Sequence, residues 1–314
     1  MSSSVVRSFT DPHEYERSVR ATDVRLVVAA PGAFEAKLTR IDLGRVWMQR
    51  AHVSLPTITY STLHPGRTMI FLQFDPDQAP ILHTGFEVRP SEIVRYASGS
   101  EHHYRTSAAY KCGGVSLKTE DLAALSEVLL GREVTAPSTS RVARPSPDSM
   151  SRLLHLHKAV TDLAESVPDV LEHPEVSKAM EQELVRAMLA CVSDASMREN
   201  PRSNWMRMRT MRRFEQLLEA RKDEPLYLPD ICAEIGVTDR TLRLHCQGHL
   251  GMGPHRYLWL RRMNMARRAL AGADPRMKTV TEIANDHGFA ELGRFAVAYR
   301  KLFGEPPSTT LRRN

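Results

Sequence analysis

Two pairs of histidines are the residues of this sequence whose type could support metal chemistry. Glu101 precedes His102 and His103, and His155 and His157 lie two positions apart. Imidazole and carboxylate groups hold iron, manganese or zinc in many enzymes. Adjacent side chains of a strand point to opposite faces, however, and helix positions two apart are separated by about 200°. We therefore predict structural histidines, no metal site and no other cofactor.

The sequence contains no motif that is typical of nucleophilic catalysis or of phosphate binding. The sequence has no G-x-S-x-G, and the spacing of its cysteines includes no C-x-x-C pair. The thiols are expected to be reduced and mostly buried: Cys112, Cys191, Cys232 and Cys246. Gly248, Gly251 and Gly253 follow no predicted strand, so a turn between helices is favoured over a phosphate-binding loop. No catalytic residue is predicted, and the chain is not expected to be an enzyme.

Basic residues are concentrated in the last third of the chain. Of 314 residues, 43 are Lys or Arg and 37 are Asp or Glu, a net charge of +6. Residues 205–314 hold 20 basic and 12 acidic residues, a net charge of +8, which leaves −2 for residues 1–204. Such asymmetry points to a polyanionic partner for the carboxyl-terminal part. A basic solvated surface would give the same counts, so charge alone does not decide.

A helix, a glycine turn and a second helix are predicted over about 226–249. Gly236 can adopt the left-handed conformation of the turn, and Thr238 can cap the helix that follows. Leu242 and Cys246 would face inward. The outer face of the second helix would then present side chains suited to the major groove of DNA: Asp239, Arg240, Thr241, Arg243 and Gln247.

The same arrangement recurs over about 280–302, where Phe295, Tyr299 and Leu302 would be the inward anchors of the second outward helix. Between the two units, residues 255–271 predict a connecting helix of roughly 25 Å. Consecutive major grooves on one face of DNA lie about 34 Å apart. One subunit could therefore place a helix in each of two successive grooves.

A series of residues at fixed spacing extends through both units. The series consists of Tyr257-Leu258, Arg262-Met263, Ala266, Leu270, Ile283-Ala284, Gly288-Phe289, Phe295 and the ending Phe303-Gly304-Glu305-Pro306-Pro307-Ser308. With these residues, the segment from about 207 to 313 resembles the DNA-binding domain of the AraC/XylS family of bacterial regulators. The likeness covers about a third of the chain and is specific, because it needs many positions at once.

The resemblance implies that both outward helices read DNA. In the first helix this role would fall on Arg240, Thr241 and Arg243, with Thr238 at the cap. In the second helix it would fall on four residues: Leu292, Gly293, Arg294 and Val297. Family members often carry serine at the position of Gly293 and a polar residue at that of Val297. Glu291 and Arg294 are then the polar groups left for bases, with Arg300 for phosphates and apolar contact for thymine methyls.

The first part of the chain, residues 1–131, is predicted to be β-rich. Short runs such as 68–74 alternate with turn clusters, and 119–130 is predicted to be a helix capped by Thr119 and stopped by Gly131. This part is similar to the cupin-like sensing domain of many such regulators. The likeness implies a small-molecule effector of unknown identity. The expected fold class is α+β, with a cupin-like barrel and a carboxyl-terminal all-α domain of two helix-turn-helix units, 205–314.

Two segments join these parts. Residues 132–150, with Pro137, Pro145 and Pro147, predict an extended connector. Residues 151–204 predict two helices, of which the second has one apolar stripe: Val176, Met180, Leu184, Met188 and Val192. This stripe could pair with another chain or cover the open face of the β domain, since either would bury it.

The favoured interpretation is a sequence-specific transcription regulator of the cytoplasm, responsive to a small molecule. Its partners would be double-stranded promoter DNA, RNA polymerase if it activates, an unknown effector and a second copy of itself. No apolar stretch reaches the roughly 18 residues that span a bilayer, and no signal-peptide core is recognised, so no membrane partner is expected. Two alternatives are a cytosolic metal-dependent cupin enzyme with a basic tail, and an effector-independent DNA-binding dimer.

Overall fold

The computed structural model describes residues 3–198, 202–222, 224 and 226–313, with the backbone alone described for 202–205. Antiparallel sheets form most of the amino-terminal part, and the carboxyl-terminal part is helical. The predicted α+β class is confirmed. Alternating apolar and polar residues build the sheets, whereas apolar residues at a spacing of three and four build the helices.

Within the described residues, thirteen strands form two sheets. Their bounds are β1 Ser3–Phe9, β2 Thr22–Val28, β3 Ala36–Asp42, β4 Trp47–Val53, β5 Thr57–Leu63, β6 Arg67–Gln73, β7 Ile81–His83, β8 Phe86–Val88, β9 Ile93–Tyr96, β10 Glu101–Arg105, β11 Tyr110–Lys118, β12 Arg141–Arg144 and β13 Ser196–Met197. The larger sheet has the order β1-β3-β4-β11-β6-β9-β12-β13, and the smaller sheet has the order β2-β5-β10-β7-β8. All neighbouring strands are antiparallel.

The helices lie between and after the strands. Their bounds are α1 Pro12–Ser18, α2 Thr119–Leu130, α3 Pro147–Ser166, α4 Pro174–Ser193, α5 Arg202–Ala220, α6 Leu228–Ile235, α7 Asp239–Leu250, α8 Pro254–Gly272, α9 Val280–Asp286, α10 Leu292–Phe303 and α11 Pro307–Leu311, with a 3₁₀ turn over Pro168–Glu172. Helices α6 and α7 are the first predicted helix-turn-helix unit, α9 and α10 are the second, and α8 is the connecting helix.

Aromatic side chains fill the space between the two sheets. Phe71 stacks on Tyr96 at 6.1 Å between ring centroids and lies 5.4 Å from Tyr104, while Phe9 meets Tyr15 edge to face. The cavity that remains among them is about 40 Å³. That volume suits one or two waters rather than a metabolite. The barrel interior is therefore a packed core.

Helices α3 and α4 cover the outer face of the larger sheet. Leu184 and Met188 of α4 are fully buried, in one cluster with Leu153 of α3 and the sheet residues Ile70 and Leu117. Of the apolar stripe on α4, Val192 is also buried, and Val176 and Met180 are partly so. The sequence left two partners open for this stripe, another chain or the β domain. In the structure the stripe covers the β domain.

Two local expectations need correction. Part of the segment expected as an extended connector, 132–150, is strand β12, which pairs with β9, and helix α3 already begins at Pro147. The pairing satisfies backbone groups of β9 that would otherwise form a free edge. Thr119 is the first residue of α2 rather than its cap, a position held by Lys118 with no side-chain hydrogen bond. Gly131 ends this helix as expected, with a φ of 68°.

The carboxyl-terminal helices dock on the outer face of the smaller sheet. Arg25, Tyr60 and His103 lie side by side across β2, β5 and β10. Arg25 forms an ion pair with Glu219 of α5, and the His103 ring lies 5.3 Å from that of His249 in α7. Because this row and its apolar neighbours face the helices, the two parts of the chain share one hydrophobic cluster.

Backbone contacts extend the same interface to later helices. The amide group of Asn264 in α8 donates to the Val28 carbonyl at 3.1 Å and accepts from the Val28 N–H at 2.9 Å. It thereby satisfies both backbone groups of the last residue of β2, an edge strand. The N–H of Gly32 donates to the carbonyl of Leu302 in α10 at 3.1 Å. The connecting helix and the second helix-turn-helix unit are thus hydrogen-bonded to the β domain.

A buried carboxyl group lies at the centre of the interface. Glu215 of α5 accepts hydrogen bonds from the hydroxyls of Tyr60, at 2.8 Å, and Tyr257 of α8, at 3.1 Å. Burial raises the pKa of this carboxyl, although both hydroxyls and the neighbouring Arg261 and Arg25 oppose the shift. A buried carboxyl without these donors would be costly. Tyr60 of the β domain and Tyr257 of the helical domain therefore both donate a hydrogen bond to the same carboxyl group.

Buried neutral histidines make the fold sensitive to acid. Burial lowers the pKa of His83 and His157 to about 3 and that of His249 to about 4. The unfolded chain binds protons on these rings below pH 6.5 and the folded chain does not, so stability present above pH 6.5 falls as the pH drops toward 4. We expect a loss of about 1.4 kcal/mol per histidine between pH 7.5 and 5.5, measured by urea unfolding.

A single variant isolates one contribution. In His157→Gln the loss over the same pH range should shrink by about 1.4 kcal/mol, because glutamine does not titrate. His157 faces the Arg50 guanidinium and the Phe74 ring. An unchanged pH dependence in this variant would contradict the assignment.

Candidate DNA interface

The first helix-turn-helix unit is built as the sequence predicts locally. Helix α6 ends at Gly236, whose φ of 71° is the left-handed conformation that glycine adopts without strain. The Thr238 hydroxyl accepts a hydrogen bond from the Thr241 N–H at 3.1 Å and so caps α7. Leu242 and Cys246 are fully buried against the rest of the domain. The opposite face of α7 is therefore turned outward.

The outward face of α7 carries the predicted polar residues and, in addition, one apolar residue that was not predicted. Arg240, Arg243 and Gln247 are exposed, and Thr241 is half-buried. The Arg243 Nε donates to the Asp239 carboxylate at 2.9 Å, one helical turn earlier. Leu244 is 67% exposed beside them. Sequence reasoning missed Leu244, although its position two residues from the inward Leu242 was a signal for the outer face.

The second unit has the same construction, and its first helix begins with a more complete cap. Thr279 and Glu282 form a reciprocal capping box that begins α9. Gly288, with a φ of 75°, lies in the turn, and α10 follows. The predicted anchors of α10 are buried: Phe295, Tyr299 and Leu302. The Tyr299 hydroxyl is hydrogen-bonded to Thr310 at 2.8 Å, which satisfies its one polar group.

The outward face of α10 has one prominent guanidinium. Arg294 has a side chain that is 83% exposed and pairs with Glu291 at 3.0 Å. Leu292 and Gly293 are exposed, and a Cβ on Gly293 would meet no other atom. Val297 is 71% exposed, and Arg300 is exposed near the end of the helix. All of these residues therefore lie on the surface, and the face is less polar than that of α7.

The connecting helix α8 turns most of its arginines toward the protein. Arg261 pairs with Glu219 at 3.0 Å, Arg267 with Glu305 at 3.2 Å, and Arg268 with Glu16 of α1. Arg262 lies 5.5 Å above the Phe289 ring. The exposed cations of the two units therefore come mainly from α7 and α10.

The histidine pairs do not converge, as strand and helix geometry predict. His102 points into the barrel and stacks on Tyr96 at 3.7 Å, whereas His103 points outward to Tyr60 and His249. His157 is buried and His155 is exposed. Among the described residues, no group of three His, Cys, Asp or Glu side chains is arranged to hold a metal ion. None of the described helices is both long and apolar enough to cross a membrane.

Comparison with known proteins matches the helical part of the chain. A family model described as a helix-turn-helix domain matches residues 231–313. The "Probable thc operon regulatory protein" of Rhodococcus erythropolis is 43% identical over 95 residues, 30% of this chain and 29% of that protein. The "XylDLEGF operon transcriptional activator 2" of Pseudomonas putida is 33% identical over 99 residues, 32% of this chain and 63% of that protein. The chain thus spans less than two thirds of either relative.

A solved structure matches the same region. It is a probable AraC family transcriptional regulator from Rhodopseudomonas palustris, 35% identical, and the match covers 33% of this chain and 95% of that chain with a TM-score of 0.30. The carboxyl-terminal part is a helix-turn-helix domain with two units. In this part the chain is similar to transcription regulators of the AraC/XylS type.

Two leucines of α7 test the orientation of the first recognition helix. Leu242→Ala removes a fully buried side chain and should lower the free energy of unfolding by about 2–5 kcal/mol. Leu244→Ala, two residues later on the exposed face, should change it by no more than about 0.5 kcal/mol. Urea unfolding of both variants measures the difference. Equal costs would mean that α7 is rotated from the orientation described.

Proposed function

We propose that the chain is a sequence-specific transcription regulator that binds promoter DNA through α7 and α10 and catalyses no reaction. The observation that carries the proposal is the matched orientation of the two helices. Each buries one face through large apolar anchors and leaves guanidinium groups exposed on the other. That division is what a helix needs to enter a major groove while its domain stays folded. We place its action in the cytoplasm, where chromosomal DNA is accessible.

Base reading would be divided unequally between the helices. On α7, Arg240 and Arg243 would read guanine through its O6 and N7 atoms, and Gln247 adenine. Thr241 adds a hydroxyl, and Thr238 holds the start of the helix in place. Asp239 keeps the Arg243 guanidinium oriented at 2.9 Å before DNA arrives. Leu244 is positioned for contact with a thymine methyl group.

On α10, Arg294 would be the main base-reading group, oriented by Glu291. The exposed Val297 and Leu292 would contact thymine methyl groups, and Gly293 would let the DNA backbone come close. Arg300 would contact a phosphate. The second helix would therefore recognise a narrower set of base edges than the first.

We further propose that a small-molecule effector controls the activity. The β domain contacts the first unit through His103 and His249 and the second through Gly32 and Leu302, so a change in this domain would reach the reading helices. The relative from Pseudomonas putida is named an activator, and we extend contact with RNA polymerase to this chain on that likeness. Binding as a homodimer completes the proposal.

Removal of either base-reading arginine should weaken specific binding. We expect Arg240→Ala or Arg294→Ala to cost about 1–3 kcal/mol on the cognate site, with relaxed preference at particular base pairs. The cognate site is obtained by selecting genomic fragments with the purified chain, and affinities are measured by fluorescence anisotropy. Arg132→Ala, an exposed arginine of the β domain, is the control of equal charge change. Equal losses on cognate and random DNA would refute base reading by these residues.

Removal of a phosphate contact should behave differently. Arg300→Ala should weaken cognate and random DNA by similar factors, because every sequence has the same phosphates. The slope of log affinity against log salt concentration should fall by about 1. A loss confined to the cognate site would instead place Arg300 among the base-reading residues.

A further inference from the structure

Two histidine rings meet where helix α7 lies on strand β10 of the smaller sheet. The ring centroids of His103 and His249 are 5.3 Å apart, with one ring edge-on to the other. His249 is buried, and neither of its ring nitrogens has a hydrogen-bond partner among the described residues. The Nδ1 of His103 is likewise buried and unpartnered there. In the docked state both rings therefore lack hydrogen bonds that water would supply.

The groups that act on the two rings are basic. They are Arg207 of α5 and His245 of α7, which face His249, and Arg25 of β2, His83 and His102, which act on His103. Each of these groups opposes a positive charge on the ring that it faces. Arg207 and His245 belong to the same domain as His249, and the other three belong to the β domain with His103. None of these pairs is therefore broken when the two domains separate.

Two arginines contact the last turn of α7. The Arg207 Nη1 donates to the Gly248 carbonyl at 3.4 Å. The Arg105 Nη1 lies 2.2 Å from the point that a Cβ on Gly251 would occupy, so the absence of a side chain there admits this guanidinium. The carboxyl end of a helix has a partial negative charge, which these two cations already compensate. A further positive charge on His249 would meet cations rather than a free acceptor.

Two carboxyl groups lie in the same interface, and both are paired. Glu215 accepts hydrogen bonds from Tyr60 and Tyr257, and Glu219 pairs with Arg25. Burial raises the pKa of Glu215, so proton uptake by this carboxyl in acid favours the docked state. Loosening of the interface in acid would therefore have to come from the imidazoles.

The imidazoles have the sign that loosening requires. Burial lowers the pKa of His249 to about 4 and that of His103 well below its ordinary value, and the basic neighbours add to both shifts. A hydrated imidazole has a pKa of about 6.5. The docked state is therefore favoured above that pH and loses this advantage as the pH falls toward 4. Between pH 7.5 and 5.5 each ring should raise the ratio of separated to docked chains about tenfold.

We propose that the contact between α7 and β10 is acid-sensitive, and that proton uptake by His103 and His249 separates the helical domain from the smaller sheet while both domains stay folded. Separation hydrates the unpartnered ring nitrogens. Positive charge on both rings, 5.3 Å apart when docked, opposes renewed docking. The hydrogen bonds of Asn264 and Gly32 to the other domain involve no titratable group, so they do not counteract this effect. Such a contact would respond to acid whether or not the chain binds DNA.

A cysteine placed under the helices measures separation even when it is rare. Ile58 is fully buried and pairs with Val27 on one side and Arg105 on the other, next to the row that contains His103. In Ile58→Cys of the full chain, the new thiol reacts with a methanethiosulfonate reagent only when the helices leave the sheet. Its labelling rate, divided by that of an unfolded peptide with the same cysteine, gives the open fraction at each pH. We expect this fraction to rise about a hundredfold from pH 7.5 to 5.5.

Two native thiols distinguish separation from unfolding. Cys112 is buried in the β domain and Cys246 is buried in the helical domain, so each reacts only when its own domain opens. Mass spectrometry of the labelled peptides reports all three positions in one sample. At pH 5.5 we expect both native thiols to react far more slowly than the thiol at position 58. Equal rates at the three positions would mean that the domains part only by unfolding, and the proposal would be wrong.

Histidine variants in the Ile58→Cys background identify the groups responsible. His103→Gln and His249→Gln should each reduce the rise to about tenfold, and the double variant should abolish it, because glutamine does not titrate. His155→Gln, an exposed histidine of α3, is the matched control and should keep the full rise. A variant that docks less tightly at both pH values still tests the proposal, because the pH dependence is compared rather than the absolute rate. A full rise in the double variant would overturn the proposal, as would an open fraction that does not change with pH in Ile58→Cys itself.

Discussion

The contact between the smaller sheet and the carboxyl-terminal helices is the constraint on which the rest of the molecule depends. Val27 and Ile58 lie in register on the outer face of this sheet, and both are buried under the helices. A sheet with two apolar faces needs a cover on each. In this chain the carboxyl-terminal helical domain supplies one cover, so α7 and α10 are held by the same surface that completes the β domain.

The interface is not uniformly favourable. Glu215 is satisfied by Tyr60 and Tyr257, but the ring nitrogens of His249 and the Nδ1 of His103 have no hydrogen-bond partner in the described part of the chain. Each unsatisfied buried group costs about 1–3 kcal/mol. Separation of the domains would hydrate these nitrogens and thereby offset part of the cost of exposing apolar surface. A ligand with modest preference for one position can shift such a balance.

Local patterns made the DNA-binding helices predictable from the sequence. The helix period places Leu242 and Tyr299 inside, the left-handed turns need Gly236 and Gly288, and the cap needs Thr238. These features depend on neighbours within a few residues, so no knowledge of the fold was required. The exposed positions of the arginines on α7 and α10 follow from the same period.

The interdomain features were not predictable, because they depend on strand register and on contacts between distant segments. Arg25, Tyr60 and His103 form one row only after β2, β5 and β10 pair, and nothing near them in the sequence marks this. The stripe on α4 likewise indicated burial without identifying the covering surface. Strand β12 was not predicted, because it lies in a proline-rich segment whose composition is typical of linkers.

Helix α5 contacts both the smaller sheet and the first helix-turn-helix unit. Arg212 is followed within one helical turn by Phe214 and Glu215, which lie on the opposite, buried side of α5. Met211 of the same turn touches Cys246 of α7, with the two sulfur atoms 3.9 Å apart. Packed side chains shift together more readily than they deform, so the position of α5 on the smaller sheet also sets the position of α7. The second unit has its own hydrogen bond to the β domain, from the Gly32 N–H to the Leu302 carbonyl. The two outward helices are therefore positioned on the β domain through separate contacts.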